Sequence, residues 1–249
     1  KEPYFLIGTT NKNSYLLAKK IGWFDACHLT NFVKIINLEN ILKKKGNNKI
    51  IIALARKAFK IFSIFASKFW RISTDNEISV VKISIFDGQI DEFWQEASKD
   101  YKNIIVRDRK YLNWRFVDCS DKKYDIYVAK KEGKMQGYIV FRYGENKDLK
   151  YGYIVDILVK QNDKKIIRCL ISQAVKSLTL KKVDLITCLI AAYNKFYKAA
   201  LRKSGFIYRG HTVKVVGYNN CLQCSEEDLK DNHSWFMTRG DSDIDTWLG

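Results

Sequence analysis

One stretch of this chain occurs twice, 183 positions apart and without a gap. Asn11-Lys12 leads through Lys19-Lys20-Ile21-Gly22-Trp23 to His28, and Asn194-Lys195 leads through Arg202-Lys203-Ser204-Gly205-Phe206 to His211. The Asn, Lys, Gly and His positions match, and an aromatic follows each glycine. Both copies carry the same local instructions: an Asn start, a short basic helix, a Gly stop, an aromatic, then a strand. Glycine just past a helix suits a left-handed C-cap, and Lys or Arg in the last turn suits the helix dipole. The second copy falls near the end of a long domain and the first at the start of the chain. The expectation is therefore that the chain opens inside a domain whose beginning lies before Lys1.

Charge narrows the partners only partly. The chain of 249 residues carries a net +17, and residues 1–72 hold 14 Lys/Arg against 3 Asp/Glu, so most of the positive field belongs to the front. Such a surface attracts nucleic acid, anionic membrane or anionic small molecules without distinguishing them. With 47% hydrophobic residues, one large or two modest domains can bury a core. Four of the six cysteines, at 27, 119, 169 and 188, read as small core residues. Cys221-Leu-Gln-Cys224 is a lone pair, and His211 and His233 stand outside zinc-finger spacing. Reduced thiols in a cytoplasmic protein, with no metal, are the expectation.

Residues 23–36 read as a strand that closes the front fragment, and Lys43-Lys44-Lys45-Gly46-Asn47-Asn48 as a boundary. Over 49–70, Arg56, Lys57 and Lys60 interrupt the apolar run, so it fails as a transmembrane span. At helical spacing the charges gather on one side and Phe59, Phe62 and Phe65 on the other. This basic amphipathic helix suits a peripheral position on an anionic inner-membrane surface, or a linker between flanking domains. From residue 76 the order is strand, two helices with Asp108 capping the second, a hairpin around Glu132-Gly133-Lys134, and an apolar strand Tyr151–Val159 buried on both faces. A helix from Asp163 to Leu178, a strand from Val183, a helix Asn194–Lys203, a long strand from Phe206 and a short one at Ser234–Thr238 follow.

That order resembles the GNAT acyltransferase fold, a mixed α/β sheet with helices on both faces, over residues 76–240. The strings that carry the resemblance are Arg107-Asp108 through Tyr111-Leu112-Asn113-Trp114-Arg115, Gly137-Tyr138, Gly152-Tyr153-Ile154-Val155-Asp156-Ile157-Leu158 and Ser234-Trp235-Phe236-Met237-Thr238-Arg239-Gly240-Asp241-Ser242-Asp243. They look like a subgroup associated with cell-surface polysaccharide gene clusters. Gly8–Asn11 and Ser14–Trp23 resemble the end of a first unit in tandem members. The resulting division is 1–45 as the remnant of a first unit, 46–75 as the basic helix, 76–240 as a complete unit and 241–249 as a solvated acidic tail.

The resemblance implies acetyl-CoA, or another acyl-CoA, in a gap where the fourth strand splays from the fifth. Pantetheine would pair with backbone groups of Ile157, Leu158 and Val159. The pyrophosphate would sit on the turn Gln161, Asn162, Lys164, Lys165 and Ile166 at a helix start, with Asn194 and Tyr197 on the facing helix. Asp156 is the candidate base for an amine attacking the thioester, or else a hydrogen-bonded structural residue. Trp114 and Arg115 would shape the acceptor side. Two positions depart from the family: Lys164 stands where a glycine allows close backbone approach, and Leu201 stands where a tyrosine often protonates the leaving thiolate. The leading expectation is N-acyl transfer to an amino group of a sugar or cell-envelope precursor. Its rivals are a non-catalytic GNAT-shaped scaffold and tRNA-dependent aminoacyl transfer to peptidoglycan precursors, for which the basic front would bind nucleic acid.

Overall fold

The computed structural model describes residues 5–44, 77–146, 148–160, 163–191, 193–220 and 226–242, with positions 46, 50 and 57. The front contributes β1 (Phe5–Thr10), α1 (Lys12–Lys20), β2 (Phe24–Ile35) and α2 (Leu38–Lys44). Then come β3 (Ile78–Ile83), α3 (Gln89–Ala97), β4 (Asn103–Ile104) and α4 (Arg109–Leu112), which runs on into a π turn (Asn113–Val117). The remainder is β5 (Asp125–Lys131), β6 (Lys134–Asn146), β7 (Leu149–Val159), α5 (Lys164–Leu180), β8 (Leu185–Ala191), α6 (Lys195–Lys203), β9 (Ile207–Asn219), α7 (Glu226–Lys230) and β10 (Trp235–Phe236).

The two copies of the repeat obey the same local rules. The Asn11 side chain accepts from the amides of Asn13 and Ser14, each at 2.9 Å, and the Asn194 side chain accepts from the Tyr197 amide at 3.2 Å. At the other end Gly22 has φ +88° and Gly205 φ +84°, the left-handed region that glycine enters without a Cβ penalty. The following aromatic then folds back: the Trp23 amide donates to Ala18 and the Phe206 amide to Leu201, both at 3.0 Å. These are matched positions, so the strands leave both helices in the same way.

Those strands do not stay with their own copies. The eight-stranded sheet runs β1-β9-β2-β8-β7-β6-β5-β3. The strand expected over 23–36 is β2, and it lies between β8 and β9. β1 and β8 each precede a repeated helix, and β2 and β9 each follow one. β9 pairs antiparallel with β1, and β2 antiparallel with β8. At the seam, Phe24 faces Gly217 at one end and Ile207 faces Val33 at the other. Phe24 and Ile207 are themselves matched repeat positions, so an approximate two-fold axis passes between β2 and β9. β2 and β9, the strands that follow the two repeated helices, thus lie side by side and antiparallel.

The rest follows the expected mixed α/β layout. β3, β5, β6 and β7 form an antiparallel run, and β7 pairs parallel with β8. Glu132 and Gly133, at φ 50° and 77°, make the tight β5–β6 turn, the backbone form that matches strand twist. α5 buries Ile166, Ile167, Leu170, Ile171, Ala174 and Leu178 on the sheet, each large side chain contributing about 1.5–3 kcal/mol. Phe32 of β2 joins this main core. Phe24, Cys27 and Leu29 join Leu189, Val215, Trp235 and Met237 in a second. The basic helix expected over 49–70 falls, but for Ile50 and Lys57, outside the described residues. Among those described, no helix is long and apolar enough to cross a membrane.

Gly22→Ala and Gly205→Ala should each cost about 1–2 kcal/mol, the penalty of a Cβ in the left-handed region. Urea unfolding of the two single variants should give matching losses.

Candidate functional site

A bulge in β7 creates the site. Val140 of β6 faces Asp156, but the next residue, Phe141, faces Ile154, so Val155 is an extra residue. Bulges bend the strand and increase its twist. On the other edge, β7 pairs with β8 only from Tyr151↔Leu185 to Ile154↔Cys188. Beyond that point the strands diverge, and residues 156–159 border a gap. This is the splay in which the cofactor was expected.

The gap is filled by the protein's own groups. The segment after β10 enters it: Thr238 bridges to Ile190, and the Ala191 amide donates to Met237 at 2.8 Å. Phe236 packs against Tyr101 and Tyr197, with ring centroids 4.6 and 5.0 Å away. The Tyr197 hydroxyl accepts from the Val159 amide at 3.0 Å, lies 3.4 Å from the Val159 carbonyl, and pairs with the Tyr101 hydroxyl at 3.1 Å. Burial keeps the Tyr197 hydroxyl protonated by pushing its pKa well above the ordinary value.

Deeper in the gap lies an ionic cluster. Asp156 is 2% exposed and accepts from Arg107 Nε and a terminal guanidinium nitrogen at 3.2 and 3.3 Å, from Tyr138 at 2.6 Å, from Thr238 at 2.9 Å and from the Ile157 amide at 3.0 Å. Arg107 also donates to Asp241 at 2.6 Å. Asp241 accepts from the Thr238 amide at 2.8 Å as well. Its side chain is buried, not part of a solvated tail; Asp243 and Asp245 lie outside the described residues. For Arg107, burial alone would lower the pKa, but the carboxylates of Asp156 and Asp241 outweigh it and hold the guanidinium charged. Two buried carboxylates share that one cation. Burial therefore dominates at Asp241 and raises its pKa, with the Asp156 charge adding to the effect and Arg107 opposing it.

The expected cofactor groups can now be placed. The Ile157 amide is engaged by Asp156 and the Val159 amide by Tyr197, while Leu158 is buried opposite Tyr138 of β6. At the helix start, Asp163 caps α5 and takes the Ile166 amide at 2.9 Å, which puts a carboxylate where a pyrophosphate would need a positive end. Lys164 and Lys165 are exposed, and Gln161 and Asn162 lie outside the described residues. Asn194 spends its side-chain oxygen on the α6 cap. In the gap where acyl-CoA was expected, the Ile157 and Val159 amides are thus already engaged, and Tyr197 and Phe236 pack beside them.

Trp114 and Arg115 lie elsewhere, in an open groove of about 560 Å³ on the far side of the closing segment, with Tyr111, Asp118 and Asp241. The cluster brings in Arg107, Tyr138 and Thr238, none of which sequence reasoning assigned to the site. All three stand in the stretches that carry the resemblance, but the partners of Arg107 lie 49 and 134 residues away along the chain. No group of three or more His, Cys, Asp or Glu that could hold a metal occurs among the described residues. Cys221 and Cys224 lie outside them.

No family model and no curated protein matches this sequence. Solved structures match by shape. A conserved protein of unknown function from Enterococcus faecalis, described as a probable N-acyltransferase, is 11% identical with a TM-score of 0.57; the match covers 88% of this chain and 46% of that one. A GCN5-related N-acetyltransferase from Anabaena variabilis is 10% identical with a TM-score of 0.56 and the same coverages. The chain thus has the GNAT acyltransferase fold and spans about half the length of these two proteins.

Arg107→Leu should cost about 3–5 kcal/mol in urea unfolding, because two buried carboxylates lose their counter-charge. A pH effect follows from Asp241. Its folded pKa lies above the ordinary 3.8, so its contribution to stability is full below that value and is lost as pH rises through the folded pKa. Asp241→Asn should flatten this fall when unfolding is measured across the range above about pH 4.

Proposed function

We propose that residues 77–242 form a GNAT-like scaffold that does not transfer acyl groups in its own gap between β7 and β8. The observation that supports this best is the Tyr197 hydroxyl on both backbone groups of Val159. A buried phenol there replaces the pairing that an acyl-CoA arm would make, and Phe236 fills the space behind it.

For the whole protein, our reading is acyl-CoA-dependent N-acyl transfer, with acetyl as the acyl group, to an amino group of a sugar or cell-envelope precursor. We place the transfer in the unit to which the front copy belongs. Two features favour that placement. Ser14 occupies the repeat position of Tyr197, so the front copy carries no phenol there. Leu17, at the position matched by buried Ala200, is 61% exposed, and Leu6, Leu16 and Ile21 are also exposed beside it, as expected of a face that packs on further GNAT-like structure. β9 lies along β1, so the closed unit supplies a wall of its neighbour.

Calorimetry tests the closed gap. Titration of this chain with millimolar acetyl-CoA should give no binding. Micromolar binding that weakens in Lys164→Glu would overturn the reading, since that change reverses a charge beside the expected pyrophosphate. Residues 49–70 carry a separate proposal, attachment to an anionic membrane surface. Co-sedimentation with liposomes should then fall as salt rises and as anionic lipid is removed, and insensitivity to both would exclude it.

A further inference from the structure

The groove beside Trp114 is open where the gap is closed, and its walls are held firmly. The Asp118 amide donates to the Asn113 carbonyl at 2.9 Å, five residues back. This π turn inserts an extra residue into the helical turn, a backbone form found frequently at functional sites. The Asn113 side chain is fastened to both backbone groups of Phe86, at 2.9 and 3.0 Å. On this turn Phe116 points into the core at 4% exposure while Trp114 stands out at 63%. Tyr111 meets Trp114 at 5.8 Å and 49°, making a corner of two aromatic rings. Opposite, Arg115 donates to the carbonyls of Gly240 and Ser242 at 3.1 and 3.2 Å and fixes the other wall.

At 63% exposure Trp114 forgoes most of the burial that aromatics such as Phe86, Phe116 and Tyr138 achieve. Among the described residues, the Trp114 indole N–H and the Asp118 carboxylate make no hydrogen bond or ion pair. Trp114, with its aromatic face and indole donor, and Asp118, with its two acceptor oxygens, therefore line one space of about 560 Å³, a size usual for small-molecule sites.

We propose that this groove binds a saccharide ring. A sugar presents an apolar C–H face to the indole, and hydroxyl or amino donors along its edge to Asp118. A purely apolar ring would leave Asp118 unmatched. A small ammonium ion would leave most of the indole face uncovered. The charges around the space nearly balance, with Arg115 beside Asp118 and Asp241 held by Arg107, which suits a polyhydroxylated ligand better than a strongly charged one. The inference rests on the groove alone and needs neither an open cofactor gap nor acyl transfer.

Nitrogen–proton spectra of this chain's tryptophan indoles test it, with glucose, glucosamine and cyclohexylamine as probes. The Trp114 cross-peak is identified by its loss in Trp114→Phe. It should shift saturably with both sugars at millimolar concentration, and far less with cyclohexylamine. Asp118→Asn should weaken glucosamine about fivefold, the step from a charge-assisted to a neutral hydrogen bond. The remaining indole peaks should stay in place and show that the fold is intact. No saturable shift with either sugar would overturn the proposal. So would a cyclohexylamine response equal to that of glucosamine, or glucosamine binding undiminished in Asp118→Ala.

Discussion

The seam between β2 and β9 is the interaction on which the molecule depends. Each strand of the front segment pairs with the other copy, β1 on β9 and β2 on both β9 and β8. Without β2, the far edge of β8 would present a row of unpaired backbone groups, and Phe32, Cys27 and Leu29 would leave two cores at once. On its other edge, β2 anchors β8 along seven residues, Leu29–Ile35 against Leu185–Ala191. That anchoring holds the end of β8 away from β7 and makes room for the closing segment.

What fills the room explains why a GNAT-shaped framework can be stable with no ligand in its gap. A splayed pair of strands leaves outward amides that must find partners. Here Asp156 serves one and Tyr197 the other. The carboxylate is in turn neutralised by Arg107, and Arg107 is shared with Asp241. Satisfaction of one strand edge has drawn in residues from β4–α4, β6, α6 and the closing segment, and each link is buried.

Much of this was legible in the sequence. The repeated helices were, because caps and stop glycines act within one turn: Asp108 does accept from the Tyr111 amide, at 2.7 Å. The central strand was, because its run of apolar residues admits only double burial. The partner of β2 was not. Alternation fixes which face of a strand is apolar, and says nothing about which strand lies beside it. Tyr197 was expected on the helix facing the cofactor, but that its hydroxyl would meet the Val159 amide 38 residues earlier is written nowhere in the local sequence. Asp163 carried a signal that went unused: an aspartate before a helix is a cap, and a cap consumes an amide that a phosphate would want. Asp241 was grouped with a run of acids because its cation, Arg107, is far away in the chain.

The long-range pairing of the front strands also bears on how the molecule is made. Thr10 of β1 hydrogen-bonds Lys214 of β9, 204 residues later. At about 5–20 residues per second, β1 and β2 wait roughly ten to forty seconds on the ribosome before their neighbours emerge. During that interval the edges of β1 and β2 are without their final partners β8 and β9. The front of the sheet is therefore the last part that can close, and it closes only once β9 has been made.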